Sequence, residues 1–367
     1  MTQGAQIKVL IVDDSKLVRD ALKSLIATDS RLVVIGSAID PFDAARHIKV
    51  QVPDVIVLDI EMPRMDGITF LRRIMAQRPI PVVICSAMVA DGSQTLIDAL
   101  NAGAVEIIQK PKIGTRQFFE DAAVQINDQI VAAAGAKLLA NTEDDSPAPA
   151  AVRQSPLRYG EGYGLIAIGA STGGTEALRK LLCQLPADGP PIVVVQHMPE
   201  QFTRAFATHL DKISHVSIRE AVHGQRLMRG TVTVAPGNQH MKIVPESDGG
   251  MRVQTMDGAL VNRHRPSVDV MFHSVARFAS GSTLAIILTG MGDDGAEGLK
   301  AIRNAGGVTL GQDEESCVVY GMSRAASRLG AVGREANLTD ITQMVVRGRG
   351  PEDDAAPEPS SLRRAAS

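Results

Sequence analysis

At 367 residues the chain has room for two or three domains, and 44% hydrophobic with 22% charged residues is ordinary for a globular protein. A net charge of −3, 3% aromatics and no tryptophan supply neither a basic field for nucleic acid nor a base-stacking platform. The first residues, MTQGAQIKVLIVDDS, lack the pattern of a signal peptide, and no apolar run approaches the roughly 18 residues of a membrane span. The expectation is a cytoplasmic protein with no direct membrane insertion. Cys85, Cys183 and Cys317 form no CxxC pair, and the first two sit in apolar patterns that predict burial.

The first 134 residues alternate. IKVLIVDD, LVVIGSA, DVIVLDI, PVVICSA and VEIIQKP are short apolar runs of the kind found in buried parallel strands. Segments of helical period lie between them, including 16–27 and 67–78. Alternating βα units predict a doubly wound five-stranded parallel sheet over residues 6–125. Residues 135–160 turn to Pro, Ala, Gly and charge and are predicted to be a linker. LIAIGA, PIVVVQH, TVTVAPG and LAIILTG then restart the pattern, predicting a second doubly wound, mostly parallel α/β domain over 161–346. Residues 350–367 have the composition of a disordered tail.

Ligand sites in open α/β sheets lie at the carboxyl ends of the strands. In the first domain those ends carry Asp13 and Asp14, Asp59, Ser86 and Lys110. Three carboxylates repel unless a cation sits among them, and hard oxygen ligands suit Mg²⁺ with a phosphoryl oxygen in its shell. A lysine across such a pocket would pair with an added phosphate. The bland alternatives are an N-cap for Asp14 and a lone strand-end charge for Asp59. Lys110–Pro111 is a candidate cis bond. VDDS, LDIEMPRMDG, CSA and KP together resemble the response-regulator receiver domain, a flavodoxin-like fold. The resemblance implies that Asp59 is the phosphoacceptor and that Asp13, Asp14 and Asp59 hold Mg²⁺. Ser86 and Lys110 would be the switch hydroxyl and cation. The aromatic residue this family often carries just before the lysine is absent from 106–109.

In the second domain, Gly169-Ala170-Ser171-Thr172-Gly173 fits G-x-S-x-G between a buried strand and a helical segment. Small neighbours let a serine hydroxyl stand above a sheet, and N–H groups at the helix start can hold an oxyanion. A phosphate loop and a purely structural turn stay open on this stretch alone. A serine nucleophile needs a base and an orienter. His197 ends PIVVVQH at the carboxyl end of a strand, on the same rim as Ser171; His240, His264 and His273 lie in segments that could also reach it. LAIILTGMGDDG places Asp293 and Asp294 in a third rim turn, and spacing does not choose between them. The order Ser–His–Asp differs from that of α/β-hydrolases.

IGASTGGTEAL, QHMP, APGNQHM, VNRHRPSVDVMFHSVA, LTGMGDDGAEGL and SCVVYGM strongly resemble the catalytic domain of the chemotaxis protein-glutamate methylesterases, the CheB family. That resemblance implies a triad of Ser171, His197 and Asp294, with Thr172 and Met291 lining the oxyanion pocket. It implies hydrolysis of glutamate methyl esters on cytoplasmic helices of chemoreceptors, with release of methanol, and deamidation of receptor glutamines. No cofactor is expected for that chemistry. Mg²⁺ belongs to receiver phosphorylation, and a sensor histidine kinase would be the phosphodonor. Arg263 and Arg265 are candidates to meet acidic receptor helices, against the plainer reading of a solvated basic loop. The receiver is expected to dock over the esterase rim and to loosen on phosphorylation. Two rivals are a non-enzymatic nucleotide-binding output module and a transcriptional regulator; the second lacks a basic helix-turn-helix.

Overall fold

A computed structural model describes residues 5–86, 93–111, 116–138 and 162–348. Most of the expected linker and the whole expected tail lie outside the described residues. The first unit runs β1 (Ile7–Val12), α1 (Lys16–Ile26), β2 (Leu32–Ala38), α2 (Pro41–Val50), β3 (Val55–Leu58), α3 (Gly67–Gln77), β4 (Val82–Ser86), α4 (Ser93–Asn101), β5 (Glu106–Gln109) and α5 (Arg116–Ala134). Its strands are all parallel, in the order β2-β1-β3-β4-β5. The order reverses beside β1, so a crevice opens at the carboxyl ends of β1 and β3.

Local chemistry starts the helices. Ser15 caps α1, and Asp40 caps α2 ahead of Pro41, whose ring pre-sets the first helical turn. Asp14 is therefore not the cap of α1. On the inner face of α1, Leu22, Leu25 and Ile26 are fully buried. Such side chains contribute about 1.5–3 kcal/mol each. Lys110–Pro111 is trans, the favoured form even before proline; among the described residues the cis bond is Arg265–Pro266.

The second unit contains β6 (Leu165–Ala170), α6 (Gly174–Leu182), β7 (Ile192–Gln196), α7 (Glu200–Ile213), β8 (Ser217–Glu220), β9 (Thr231–Val234), β10 (His240–Pro245), β11 (Met251–Met256), α8 (Val268–Ala276), β12 (Thr283–Ile287), α9 (Ala296–Asn304), β13 (Val308–Gln312), α10 (Met322–Arg328), β14 (Arg334–Ala336) and α11 (Leu338–Arg347). Seven strands pair in the order β14-β13-β12-β6-β7-β9-β8, all in parallel, while β10 and β11 form a separate antiparallel hairpin. Strand β6 lies at the centre. The chain moves outward from it to β7 and later returns on its other side with β12. The rim turns after β6, β7 and β12 therefore face one crevice. Cys85 and Cys317 are buried, but Cys183 is only partly so. It closes α6 beside Ser214, against expectation, because the helix end is near the surface.

The two units pack on each other. Ile97 of α4 joins Phe206 and Leu210 of α7 in one apolar cluster, and Phe202 joins the core beneath α3 and α4. The Lys137 backbone N–H donates to Val318 O at 3.0 Å. In a third contact, Glu106 at the start of β5 is 7% exposed and meets the Thr172 hydroxyl.

Candidate active site

The turn after β6 is fixed by its backbone. Ser171 N–H donates to Thr289 O at 3.0 Å, and Gly174 N–H closes the turn onto Ser171 O at 2.7 Å. Gly173 has φ 76°, and a Cβ there would come 2.5 Å from Val318 Cβ. Glycine thus answers both a left-handed backbone and a close approach. Gly290 answers a second approach, since a Cβ on it would lie 2.6 Å from Ser171 Cβ. Buried Gln196 donates to Ser171 O at 2.9 Å and to His197 O at 3.1 Å, tying the first two rim turns together.

His197 is 6% exposed, and its Nε2 lies 2.8 Å from Asp294 Oδ2. Asp294 is buried, while Asp293 is exposed, and it is Asp294 that lies against His197. Four further donors converge on Asp294. Ser267 Oγ (2.7 Å), Asn262 Nδ2 (3.0 Å) and Asp269 N (3.2 Å) donate to Oδ1, and Val268 N (2.7 Å) donates to Oδ2. Burial is the largest influence on this carboxyl and would raise its pKa. The bonds from His197, Ser267 and Val268 overcome burial and hold it below the ordinary range.

An ionised carboxylate only accepts, so the proton between the pair sits on His197 Nε2. That leaves Nδ1 with its lone pair. Nδ1 is buried and has no hydrogen-bond partner among the described residues. The nitrogen that faces the aspartate is thus the reverse of that in the Ser-His-Asp template, where Nδ1 faces it. Among the described residues no hydrogen bond joins Ser171 Oγ to His197. Thr172 is buried, and Met291 is half-buried at the rim.

The remaining sequence candidates separate. The His264 ring stacks on His197, with centroids 3.6 Å apart and planes 9° apart. His240 accepts from Ser267 N and bonds Ala259 O, a structural role, and His273 is exposed on α8. Arg263 is engaged within the chain, its Nη1 pairing with Asp128 of α5 at 2.7 Å. Arg265 bonds Asn238 Oδ1 and Gly258 O. Arg263 stays exposed to solvent despite that pairing, and Arg265 is partly exposed, in keeping with the solvated basic loop. Sequence reasoning missed Gln196, Ser267, Asn262 and Glu106. Ser267, just ahead of an apolar helical run, carried an N-cap signal, and the others carried none.

In the first unit, Asp13, Asp14 and Asp59 each offer an oxygen within 4.8 Å of the others. Lys110 Nζ lies 2.7 Å from Asp59 Oδ2 and 2.9 Å from Asp13 Oδ2. Burial first, and the charge of Asp13, push Asp59 up to about 6 against the pull of Lys110. Asp13 and Asp59 are almost fully buried and Asp14 is exposed. Crowded oxygens with an open side are the donor set and access that Mg²⁺ prefers. Ser86 ends β4, and its carbonyl accepts from Lys110 N at 2.8 Å.

Known proteins resemble the chain along most of its length. A family model described as CheB methylesterase matches residues 166–345, and one described as response regulator receiver domain matches 9–120. A protein-glutamate methylesterase/protein-glutamine glutaminase of Geobacter metallireducens is 49% identical, the match spanning 93% of this chain and 99% of that protein. One of Rhodospirillum rubrum is also 49% identical, over 93% and 98%. The crystal structure of the Thermotoga maritima CheB methylesterase catalytic domain is 33% identical with a TM-score of 0.49, covering 51% of this chain and 98% of that one. Near-complete, mutual coverage at such identity leaves one assignment: the chain belongs to the CheB family of protein-glutamate methylesterases, with a receiver domain ahead of the methylesterase domain.

Proposed function

We propose that this chain is a phosphorylation-activated hydrolase that demethylates glutamate methyl esters and deamidates glutamines on cytoplasmic helices of chemoreceptors, in sensory adaptation. The observation that carries the reading is the buried His197–Asp294 pair on the rim that presents Ser171. Ser171 Oγ attacks the ester carbonyl carbon, and His197 takes the hydroxyl proton at Nδ1. Thr172 and Met291 border the oxygen that becomes negative. Collapse breaks the C–O bond to methoxide, which leaves as methanol with the proton from His197. With a glutamine the leaving group is ammonia. Water, activated by the same nitrogen, then cleaves the acyl-enzyme and restores Ser171. Asp294 keeps the proton on Nε2 and stabilises the imidazolium.

We further propose that residues 6–125 form the regulatory domain, 135–160 the linker, 161–346 the catalytic domain and 350–367 a tail. Asp59 is the phosphoacceptor and takes its phosphoryl group from a sensor histidine kinase. Asp13, Asp14 and Asp59 would hold the Mg²⁺, which neutralises charge on the incoming phosphoryl oxygens. Lys110 pairs with the phosphoryl group, and Ser86 follows it. In the unphosphorylated chain the receiver packs on α7 and on the Thr172 turn, narrowing access for a helical substrate; phosphorylation loosens that packing. The ester chemistry needs no cofactor, and the protein acts in the cytoplasm without binding nucleic acid. Labelling with a fluorophosphonate tests the nucleophile. Label on Ser171 that disappears in Ser171→Ala is the expected result, and label elsewhere refutes it.

A further inference from the structure

We infer that His264 is a positioning residue, whose flat ring sets the orientation of the His197 imidazole. The inference rests on the triad reading above. The two rings lie face to face at 3.6 Å and 9°, so His197 cannot tilt toward that side without displacing His264. The His264 ring nitrogens make no hydrogen bond among the described residues, which leaves the ring face as the side chain's contribution. Burial, and then the neighbouring His197, lower the His264 pKa well below the ordinary histidine range. The ring is thus neutral when His197 gains its proton. A neutral π face tolerates an imidazolium, where a second cation would repel it.

The turn that carries His264 is built to hold it still. Val261 and His264 bond each other through both backbone pairs, at 2.9 and 3.1 Å. Asn262 and Arg263 between them have φ of 48° and 68°. Left-handed non-glycine residues are costly and persist where the surroundings over-determine them. Those surroundings are visible. Asn262 Nδ2 donates to Asp269 Oδ2 at 2.6 Å and to Asp294 Oδ1 at 3.0 Å. On the other side, Arg263 pairs with Asp128, and Arg263 O accepts from Gln125 Nε2 at 3.1 Å. The platform under His197 is thus fastened at one end to the acid that orients His197. At the other end it is fastened to α5 of the receiver.

The test compares full-length wild type, His264→Phe, His264→Leu and His264→Ala in steady-state hydrolysis of a methylated receptor fragment, with melting curves as a check on folding. Loss of the platform is expected to lower kcat about 10- to 100-fold in His264→Ala and His264→Leu, the scale of a misplacement of about 1 Å. KM should stay within about threefold, and His264→Phe, which keeps a flat ring, should retain kcat within about threefold. A kcat in His264→Leu within about twofold of wild type overturns the inference, as does a folded His264→Phe as slow as His264→Ala. Ser171→Ala, run in parallel, separates the two claims. Activity surviving in it removes the triad reading, whereas activity lost in it but unchanged in His264→Leu removes only the positioning role.

Discussion

Glu106 makes the docked arrangement sensitive to pH. Its carboxyl enters the interface between the units with no cationic partner among the described residues, beside the Thr172 hydroxyl and its own strand's Ile107 N–H. Burial outweighs those two bonds and pushes it from the ordinary 4.5 up to about 7. At about 1.4 kcal/mol per tenfold, ionised Glu106 opposes docking by roughly 3 kcal/mol. That figure is an upper bound, since relaxation and water entry reduce it. Undocking returns the carboxyl to water and its ordinary value. Docking is therefore fully favoured below about pH 4.5, weakens as pH rises toward about 7 and levels off above it. If docking restrains the esterase, basal activity of the unphosphorylated chain rises across this window. The informative quantity is the ratio of wild-type to Glu106→Gln activity, in which any pH dependence of the ester chemistry itself cancels. Glutamine keeps the shape and loses the proton. We expect the ratio to rise at least about fivefold, or about 1 kcal/mol, from about pH 5.5 to about pH 8. A ratio flat within about twofold refutes the linkage.

Three further outcomes are expected. Asp294→Asn keeps the shape of the acid but donates where it should accept; kcat should fall by about 10³ to 10⁴ with KM little changed, measured by initial rates. Ser267→Ala removes one of the donors to Asp294 and the N-cap of α8, and should lower stability by about 1–2 kcal/mol in urea titration and kcat by less than Asp294→Asn does. Chelation with EDTA should abolish stimulation by a small phosphodonor and leave basal ester hydrolysis unchanged; a parallel loss of basal activity would contradict the division of metal and ester chemistry between the two units.

Much of the architecture was legible because parallel strands buried on both faces are written as continuous apolar runs. VLIV, VIVL, LIAIGA and IVVVQ read directly as β1, β3, β6 and β7. The hairpin of β10 and β11 and the short strands β8, β13 and β14 were not foreseen. SIRE and REA are too short and polar to stand out, and their pairing comes from neighbours in space. The rim residues were readable from their place at strand ends, as Ser171, His197 and Asp59 illustrate. Their protonation was not. Which His197 nitrogen meets Asp294 depends on ring orientation, and the 261–269 segment that packs against the pair lies far along the chain. Glu106 heads an apolar edge strand, and nothing in EIIQ reveals that its carboxyl faces another unit. The two neighbouring aspartates differ in burial and in the donors that reach them, which local sequence does not encode.

One serine is expected to hydrolyse receptor methyl esters under control of the receiver. Methanol release from a methylated receptor fragment tests it directly, with wild type and Ser171→Ala each assayed with and without a phosphodonor and Mg²⁺. Wild type should release methanol at a rate that the donor raises severalfold, and Ser171→Ala should release none under either condition. Release that persists in Ser171→Ala, or wild-type release that the donor leaves unchanged, would contradict it.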